Sequence, residues 1–404
     1  MEPTLLQQDG AAGAVRAATE EAGIHRARDA RDVADAVADA GLRHFRWRIR
    51  AGGSWMHAGR PTTTDRVLDV SALSGIIEYV PGDLTLTALA GTPLAEIDAV
   101  TGNEGQWLAL DPSGAGGSLG ATVATATAGP LAHGLGVPRD VVLGLEVVTG
   151  AGAVVRTGGK VVKNVAGFDL TRLFTGSWGT LCVITEVTVR LRALPEVDET
   201  VALPFDVRKE GRGLAEWLKA VRAASTAPMA LELVSSALAA ALGVGDGACL
   251  LARVGGNASD VRAQRAALAH VGELRHVDTG VWDRLRRCEP ERASVIRLSR
   301  APSRMAETWS AARALTRHRP DALLHATVGR GVVRCVIPDD GDGGGGDLLR
   351  DAARFDGRHV LERLPVRWWD GVTGSVISNR LSRSIKDGFD PMHILNPGLL
   401  GDAA

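Results

Sequence analysis

Between residues 114 and 191 glycines alternate with short β-branched segments, and few large polar side chains interrupt them. The densest part is Gly158-Gly159-Lys160-Val161-Val162-Lys163-Asn164-Val165-Ala166-Gly167-Phe168-Asp169-Leu170, closed by Gly176-Ser177-Trp178-Gly179-Thr180-Leu181. Glycine lets backbone approach a large ligand closely, while strands on either side hold that backbone in place. A dinucleotide needs such a surface. A second cluster, Ala51-Gly52-Gly53-Ser54, follows an alternating strand at 45–50. It supplies backbone N–H groups for a pyrophosphate if folding brings the two stretches together, and is otherwise an ordinary β-turn.

Nearly every side chain from 111 to 130 is small, so this backbone can lie flat along a ligand, with Ser and Thr hydroxyls as donors. A nicotinamide-binding Rossmann turn is excluded by the glycine spacing, by the lack of a strong preceding strand and by the missing acidic residue about 20 residues on. A Walker A loop at Gly158-Gly159-Lys160 is excluded because Val154 stands where its first glycine belongs and Val161 replaces the Ser or Thr.

In chain order, the polar, Ala-rich residues 1–24 read as a leader or loose helix. The spacing of Val33, Ala34, Val37 and Ala38 predicts a helix over 29–40. Strands are expected at 67–70 and 84–88, then a helix capped by Thr92, with Pro93 at its first position and Leu94, Ile97 and Val100 facing the core, stopping near Gly102. Residues 142–148 and 153–156 flank a hairpin turn, and 183–192 form a closing strand. Beyond Pro195 the pattern mixes helices, one striped by Leu214, Trp217, Leu218 and Val221 and another over 261–271, with a hairpin at 323–336. We expect an α+β chain with four parts: a leader at 1–24, a first lobe at 25–195, a second lobe at 196–365 and a C-terminal segment at 366–404.

Lys plus Arg (46) and Asp plus Glu (47) nearly cancel, so no global field draws the chain to nucleic acid or to an anionic membrane. No stretch is long and apolar enough to span a bilayer, and no secretory signal opens the chain, so a cytoplasmic location is expected. Cys182, Cys249, Cys288 and Cys335 are far apart and lack the close pairs of a zinc or iron–sulfur site, so any electron relay beyond an organic cofactor must sit on another chain.

Five ordered segments carry a resemblance: Arg48 to Ser54, Ser118 to Ala121, Arg139 to Gly144, Lys163 to Asp169, and Gly179 to Leu181. Together they resemble the vanillyl-alcohol-oxidase type of FAD-binding domain, also called the PCMH type, and within it the smaller of the two flavin subunits of bacterial glycolate oxidases. The likeness spans roughly residues 25–195 plus Phe389-Asp390-Pro391 and Asn396-Pro397-Gly398, and it implies an FAD-binding domain at 25–195, a cap domain at 196–365 and a segment at 366–404 that returns to the first. It implies FAD as cofactor, with Arg50, Ala51, Gly52, Gly53, Ser54 and Trp55 wrapping the pyrophosphate. Ser118, Leu119, Gly120, Ala121, Gly129, Pro130, Gly136, Arg139 and Asp140 would line the cofactor toward its ring, and Ile184 would meet the adenine half. Lys163, Asn164, Gly167 and Asp169 match the most recognisable run; for Lys163 an ion pair with Asp169 is the alternative. Ser54 stands where covalently flavinylated members carry histidine, so FAD is expected to be non-covalent.

Four departures are Ala51 and Ala121 for glycines, Phe168 for the common Tyr and Cys182 for a frequent glycine. Related subunits that oxidise 2-hydroxy acids directly carry a Gly-Asp-Gly-Asn-x-His segment and a metal. Here the equivalent is His325-Ala326-Thr327-Val328-Gly329-Arg330-Gly331, so no metal is expected. The catalytic groups are unknown, with His325 and Arg330 as candidates for meeting a carboxylate. The resemblance implies a subunit oxidising a 2-hydroxy acid beside a larger flavin subunit and an iron–sulfur subunit, touching a membrane only through them. A self-sufficient dehydrogenase and an assembly subunit with an idle flavin remain open.

Overall fold

The computed structural model describes residues 23–114, 116–159, 169–206, 212–224, 227–339, 345–372 and 379–401. Lys163, Asn164 and Gly167, like residues 1–22 of the expected leader 1–24, lie outside the described residues, and the leader ends earlier than expected because Ile24 already belongs to the first strand.

The chain opens with three parallel strands, β1 (Ile24–Arg26), β2 (Trp47–Arg50) and β3 (Arg66–Asp69), in the order β1-β3-β2. Between β1 and β2 runs the helix Ala30–Arg43, whose cap Asp29 accepts from the Asp32 N–H at 2.8 Å and whose buried face is Val33, Ala36, Val37 and Ala40. β4 (Ile76–Val80) and β5 (Thr85–Leu89) begin a second, antiparallel sheet. The two-residue strand β6 (Gln106–Trp107) later pairs with β10 (Arg192–Ala193). β7 (Val142–Thr149), β8 (Val154–Gly158) and β9 (Cys182–Arg190) complete the second sheet in the order β4-β5-β9-β7-β8. The hairpin β7–β8 and the alternation of buried Val187 and Val189 along β9 follow the sequence pattern.

The third sheet is eight-stranded and antiparallel: β11 (Val197–Pro204), β12 (Ala230–Val234), β13 (Cys249–Gly256), β14 (Arg275–Val277), β15 (Ala293–Ser299), β16 (Leu323–Thr327), β17 (Val332–Pro338) and β18 (Arg358–Arg363), in the order β14-β11-β13-β12-β16-β17-β15-β18. One face packs the helices Arg212–Ala223, Ala258–Ala269 and Met305–Leu315 over Leu231, Leu250, Ile296, Leu324 and Cys335. Its other face meets the earlier part of the chain around Leu131, Ala230, Val234 and Leu251.

Two sequence expectations need correction. Thr92 does not cap the helix Leu94–Gly102; its buried hydroxyl donates to the Gly75 carbonyl at 3.1 Å and accepts from the Gly75 N–H at 2.9 Å, and Pro93 holds the cap position. Val100 does not face the core and is 37% exposed, while Thr101 is buried, because the helix is rotated so that Leu94, Ile97 and Thr101 share the inner face.

The C-terminal stretch returns to the first sheet. Leu395 forms a parallel bridge with Trp47, the Trp47 N–H donates to Ile394 O at 2.8 Å, and the Asn396 N–H donates to Trp47 O at 3.0 Å. Beneath it Lys386 is buried, its Nζ donating to Thr180 O at 2.7 Å, Asp390 Oδ2 at 2.7 Å and Leu395 O at 3.1 Å.

Candidate functional site

β2 ends in the loop 51–55, and the loop opens onto a cleft with about 710 Å³ of empty space including its mouth. Arg50, Ala51, Gly53, Ser54, Trp55, Gly120, Ala121 and Ile184 line it together. Four chain segments thus converge: the strand-to-loop turn after β2, the helix Leu119–Thr125, β9 and the C-terminal tail.

The loop is rich in uncommitted donors. Among the described residues the backbone N–H groups of Gly52, Gly53, Ser54 and Trp55 donate no hydrogen bond. Gly53 has φ +83°, and a Cβ built there would project into open space. Below the loop, Arg48 is buried; Nη2 donates to Met56 O at 3.2 Å, but Nη1 has no partner among the described residues. Burial pulls the Arg48 guanidinium down to about 10, so it stays cationic at neutral pH. Four free amides and a half-used buried cation form a cradle for an anion such as a pyrophosphate.

The rest of the cleft wall is apolar or aromatic. Trp55 and Trp178 meet edge to face, with centroids 5.9 Å apart. Trp178 has φ +57°, a conformation that costs a bulky side chain energy and that the turn around it must enforce. Asn396 is part of that enforcement: its Oδ1 accepts from the Ile49 N–H at 2.9 Å and its Nδ2 donates to Trp178 O at 2.8 Å. Arg50 pairs with Asp69 at 2.8 Å. Burial works to raise the Asp69 carboxyl, but hydrogen bonds from Arg50 and Ser71 more than offset it and hold the group below its ordinary value. Gly120 packs against Ala90 so closely that a Cβ would lie 2.5 Å from Ala90 Cβ.

Other residues singled out in the sequence stand outside this cleft. Gly52 is exposed on the loop. Ser118 caps the helix Leu119–Thr125 by accepting from the Ala121 N–H at 3.3 Å, and Leu119 is core. Arg139 and Asp140 are exposed; the Asp140 carboxylate accepts from the Val137 N–H at 3.0 Å across the turn that Gly136 opens with φ +96°. Asp169 caps the helix Leu170–Phe174 and pairs with Arg172 at 3.2 Å.

Gly129 and Pro130 belong instead to the junction with the eight-stranded sheet, where a Cβ on Gly129 would lie 2.0 Å from Asp111 O. The buried Asp111 carboxylate accepts from the Leu131 N–H at 3.0 Å. Across the junction His133 Nδ1 accepts from the Gly329 N–H at 2.9 Å, and burial pulls that imidazole down to about 4. His325 Nδ1 lies 2.6 Å from Oε1 of the fully buried Glu232, whose Oε2 has no partner among the described residues. Arg330 is exposed on the turn Val328–Arg330. Burial pushes Asp111 up to about 7 from its ordinary 3.8. The folded protein therefore keeps a proton that the unfolded chain has lost between those values, and stability falls as pH rises through that window. Asp111→Asn should flatten this slope in urea titrations run from pH 4 to pH 8, because the amide oxygen still accepts from Leu131.

Sequence reasoning left Arg48, Trp178, Gly179 and Asn396 out of the cofactor set, although all four line the cleft. Arg48 was within reach, since it sits two residues before Arg50 on the same side of β2. Among the described residues no group of His, Cys, Asp and Glu is placed to hold a metal ion, and no helix is long and apolar enough to cross a membrane.

Residues 22–158 match the FAD binding domain family. The glycolate oxidase subunit GlcE of Escherichia coli is 39% identical over 171 residues, which is 42% of this chain and 49% of that protein. The glycolate oxidase subunit GlcD of Bacillus subtilis is 37% identical over 147 residues, 36% of this chain and 31% of that protein. The chain thus spans about half or less of the length of these relatives. Among solved structures, 4-ethylphenol oxidase from Gulosibacter chungangensis superposes with a TM-score of 0.71 at 18% identity, covering 94% of this chain and 88% of that one. p-Cresol methylhydroxylase does so with a TM-score of 0.69, also at 18% identity, covering 94% and 88%. These likenesses show the same α+β fold. The stretch that builds the donor loop and most of the cleft is thus the one that matches the FAD binding domain family, and the cofactor is FAD.

Proposed function

We propose that this chain is the FAD-carrying subunit of an oxidoreductase complex that oxidises a small 2-hydroxy acid, with glycolate to glyoxylate as the leading candidate reaction. In this reading it works beside a larger flavin subunit and an iron–sulfur subunit, at the inner face of a membrane only through them. Residues 25–195 form the flavin domain, 196–365 the cap and 366–404 the returning segment. The cleft at the end of β2 carries the reading, and the names of the relatives support the substrate class: two glycolate oxidase subunits and a D-lactate dehydrogenase [cytochrome] of Arabidopsis thaliana, 36% identical over 148 residues.

When bound, FAD supplies hydride acceptance and onward electron transfer. The chain's own residues bind and orient it. The free amides at 52–55 and Arg48 hold the pyrophosphate, the Trp55–Trp178 pair walls the cleft, and Ile184 meets the adenine half. Gly120 and Ala121 line the same cleft beyond the loop. In this reading FAD is held non-covalently. Asn396→Ala should raise the FAD dissociation constant about tenfold, the worth of one or two buried hydrogen bonds, as read by fluorescence titration.

The direct test is the visible spectrum of the purified chain before and after acid precipitation, followed by anaerobic glycolate and D-lactate. Flavin released by acid but not bleached by either acid supports a subunit that depends on partners. Bleaching would show a complete active site in this chain, and a colourless protein would overturn the reading.

A further inference from the structure

A second cavity, with about 710 Å³ of empty space including its mouth, lies on the helix-covered side of the eight-stranded sheet, between the end of β15 and the helices Met305–Leu315 and Gly345–Ala353. It shares no lining residue with the flavin cleft. Leu298, Ala311, Leu315 and the Phe355 ring give it an apolar floor, and Arg300, Arg317 and Arg354 face Asp351 and Asp356 around it.

Arg300 is the unusual member. Its side chain is 9% exposed, and its guanidinium lies 4.1 Å over the Phe355 ring. Nη2 pairs with Asp356, while Nε and Nη1 are buried with no hydrogen-bond partner among the described residues. The surrounding pairs hold loosely. Asp356 is 65% exposed, Arg317 reaches Asp351 at 3.2 Å, and Arg354 reaches the same carboxylate only at 3.9 Å. With Arg304, which also reaches Asp356 at 3.4 Å, four guanidinium groups thus share two carboxylates, and exposed pairs of this kind are readily displaced. Buried guanidinium N–H groups lacking an acceptor call for an oxyanion, and the ring and aliphatic floor call for an apolar body attached to it.

We propose that this cavity binds a small organic anion, a carboxylate or phosphate on an apolar body, at a site separate from the flavin cleft. Arg300 donates to the oxyanion through its free Nη1, Arg317 and Arg354 add charge at the rim, and the body rests on Phe355. This assignment goes beyond the flavin reading and does not depend on it.

The test is calorimetric titration of the full chain, saturated with FAD, with benzoate and separately with phenyl phosphate. Saturable binding of either probe at one site per chain is expected, and the tighter of the two identifies the oxyanion. Arg300→Lys keeps the charge but loses the directed guanidinium N–H groups and should weaken binding at least tenfold. Ala314→Trp, at an exposed lining position that tolerates bulk, should fill the cavity and abolish binding while leaving the melting temperature near that of the parent. Absence of saturable binding at millimolar probe would overturn the proposal, as would binding that survives Ala314→Trp. If FAD saturation fails, the same titration is run on the chain as purified with Gly53→Asp as control, and binding lost in that variant but kept in Ala314→Trp would place the anion in the flavin loop instead.

Discussion

Gly53→Asp is expected to abolish FAD retention while leaving a folded protein. The substitution costs about 1–2 kcal/mol for a side chain at φ +83°, which a chain of this size tolerates. A Cβ at Gly53 meets nothing within 4 Å, so the new carboxylate enters the cleft instead of clashing with the core. There it faces the anion that the loop amides and Arg48 are arranged to hold. Two like charges about 4 Å apart at an effective dielectric of about 20 repel by ~4 kcal/mol, roughly a thousandfold in dissociation constant. Acid-released flavin per chain, read beside a circular dichroism spectrum, checks both halves. Full flavin content in a folded variant would remove the loop from the site.

Lys386→Met is expected to lower stability by about 3–5 kcal/mol and to loosen FAD as well. The buried ammonium serves three oxygens at once, and its loss leaves Asp390, which is 0% exposed, as an unpaired interior charge. The N–H groups of Ile394 and Leu395, at 3.1 and 3.0 Å, still donate to that carboxylate and keep the penalty from being larger. Removing the second charge too, in Lys386→Met with Asp390→Asn, should recover part of the loss, because an unpaired buried ion costs more than an absent pair. Urea midpoints measure the stability terms. Flavin affinity measures the coupling, since the tail that Lys386 anchors also carries Asn396 to Ile49 and Trp178.

What the sequence shows of this site is what is local in the chain. The strand leading into Ala51-Gly52-Gly53-Ser54 is visible because alternation followed by glycines has a single geometric meaning, and the β7–β8 hairpin is visible for the same reason. The small-residue helix Leu119–Thr125 shows its close approach through Gly120, which no larger residue could replace beside Ala90. What stays hidden depends on distant partners. Thr92 reads as a helix cap until Gly75 claims its hydroxyl from 17 residues away. The Glu232–His325 contact joins residues 93 apart on neighbouring strands, so neither looks partnered in isolation. Trp178 carries no sign of its left-handed backbone, because the turn and the Asn396 amide that hold it there come from elsewhere.

The Ile49–Asn396 hydrogen bond spans 347 residues. A chain emerging from the ribosome can form the first three strands and the loop early, yet the wall at Trp178 waits for its clamp until residue 396 has been synthesised. Cofactor uptake is therefore a late event in the life of each molecule, and a nascent or prematurely terminated chain presents an open, weakly retaining cleft. Tight retention of FAD then depends on the segment that carries Asn396.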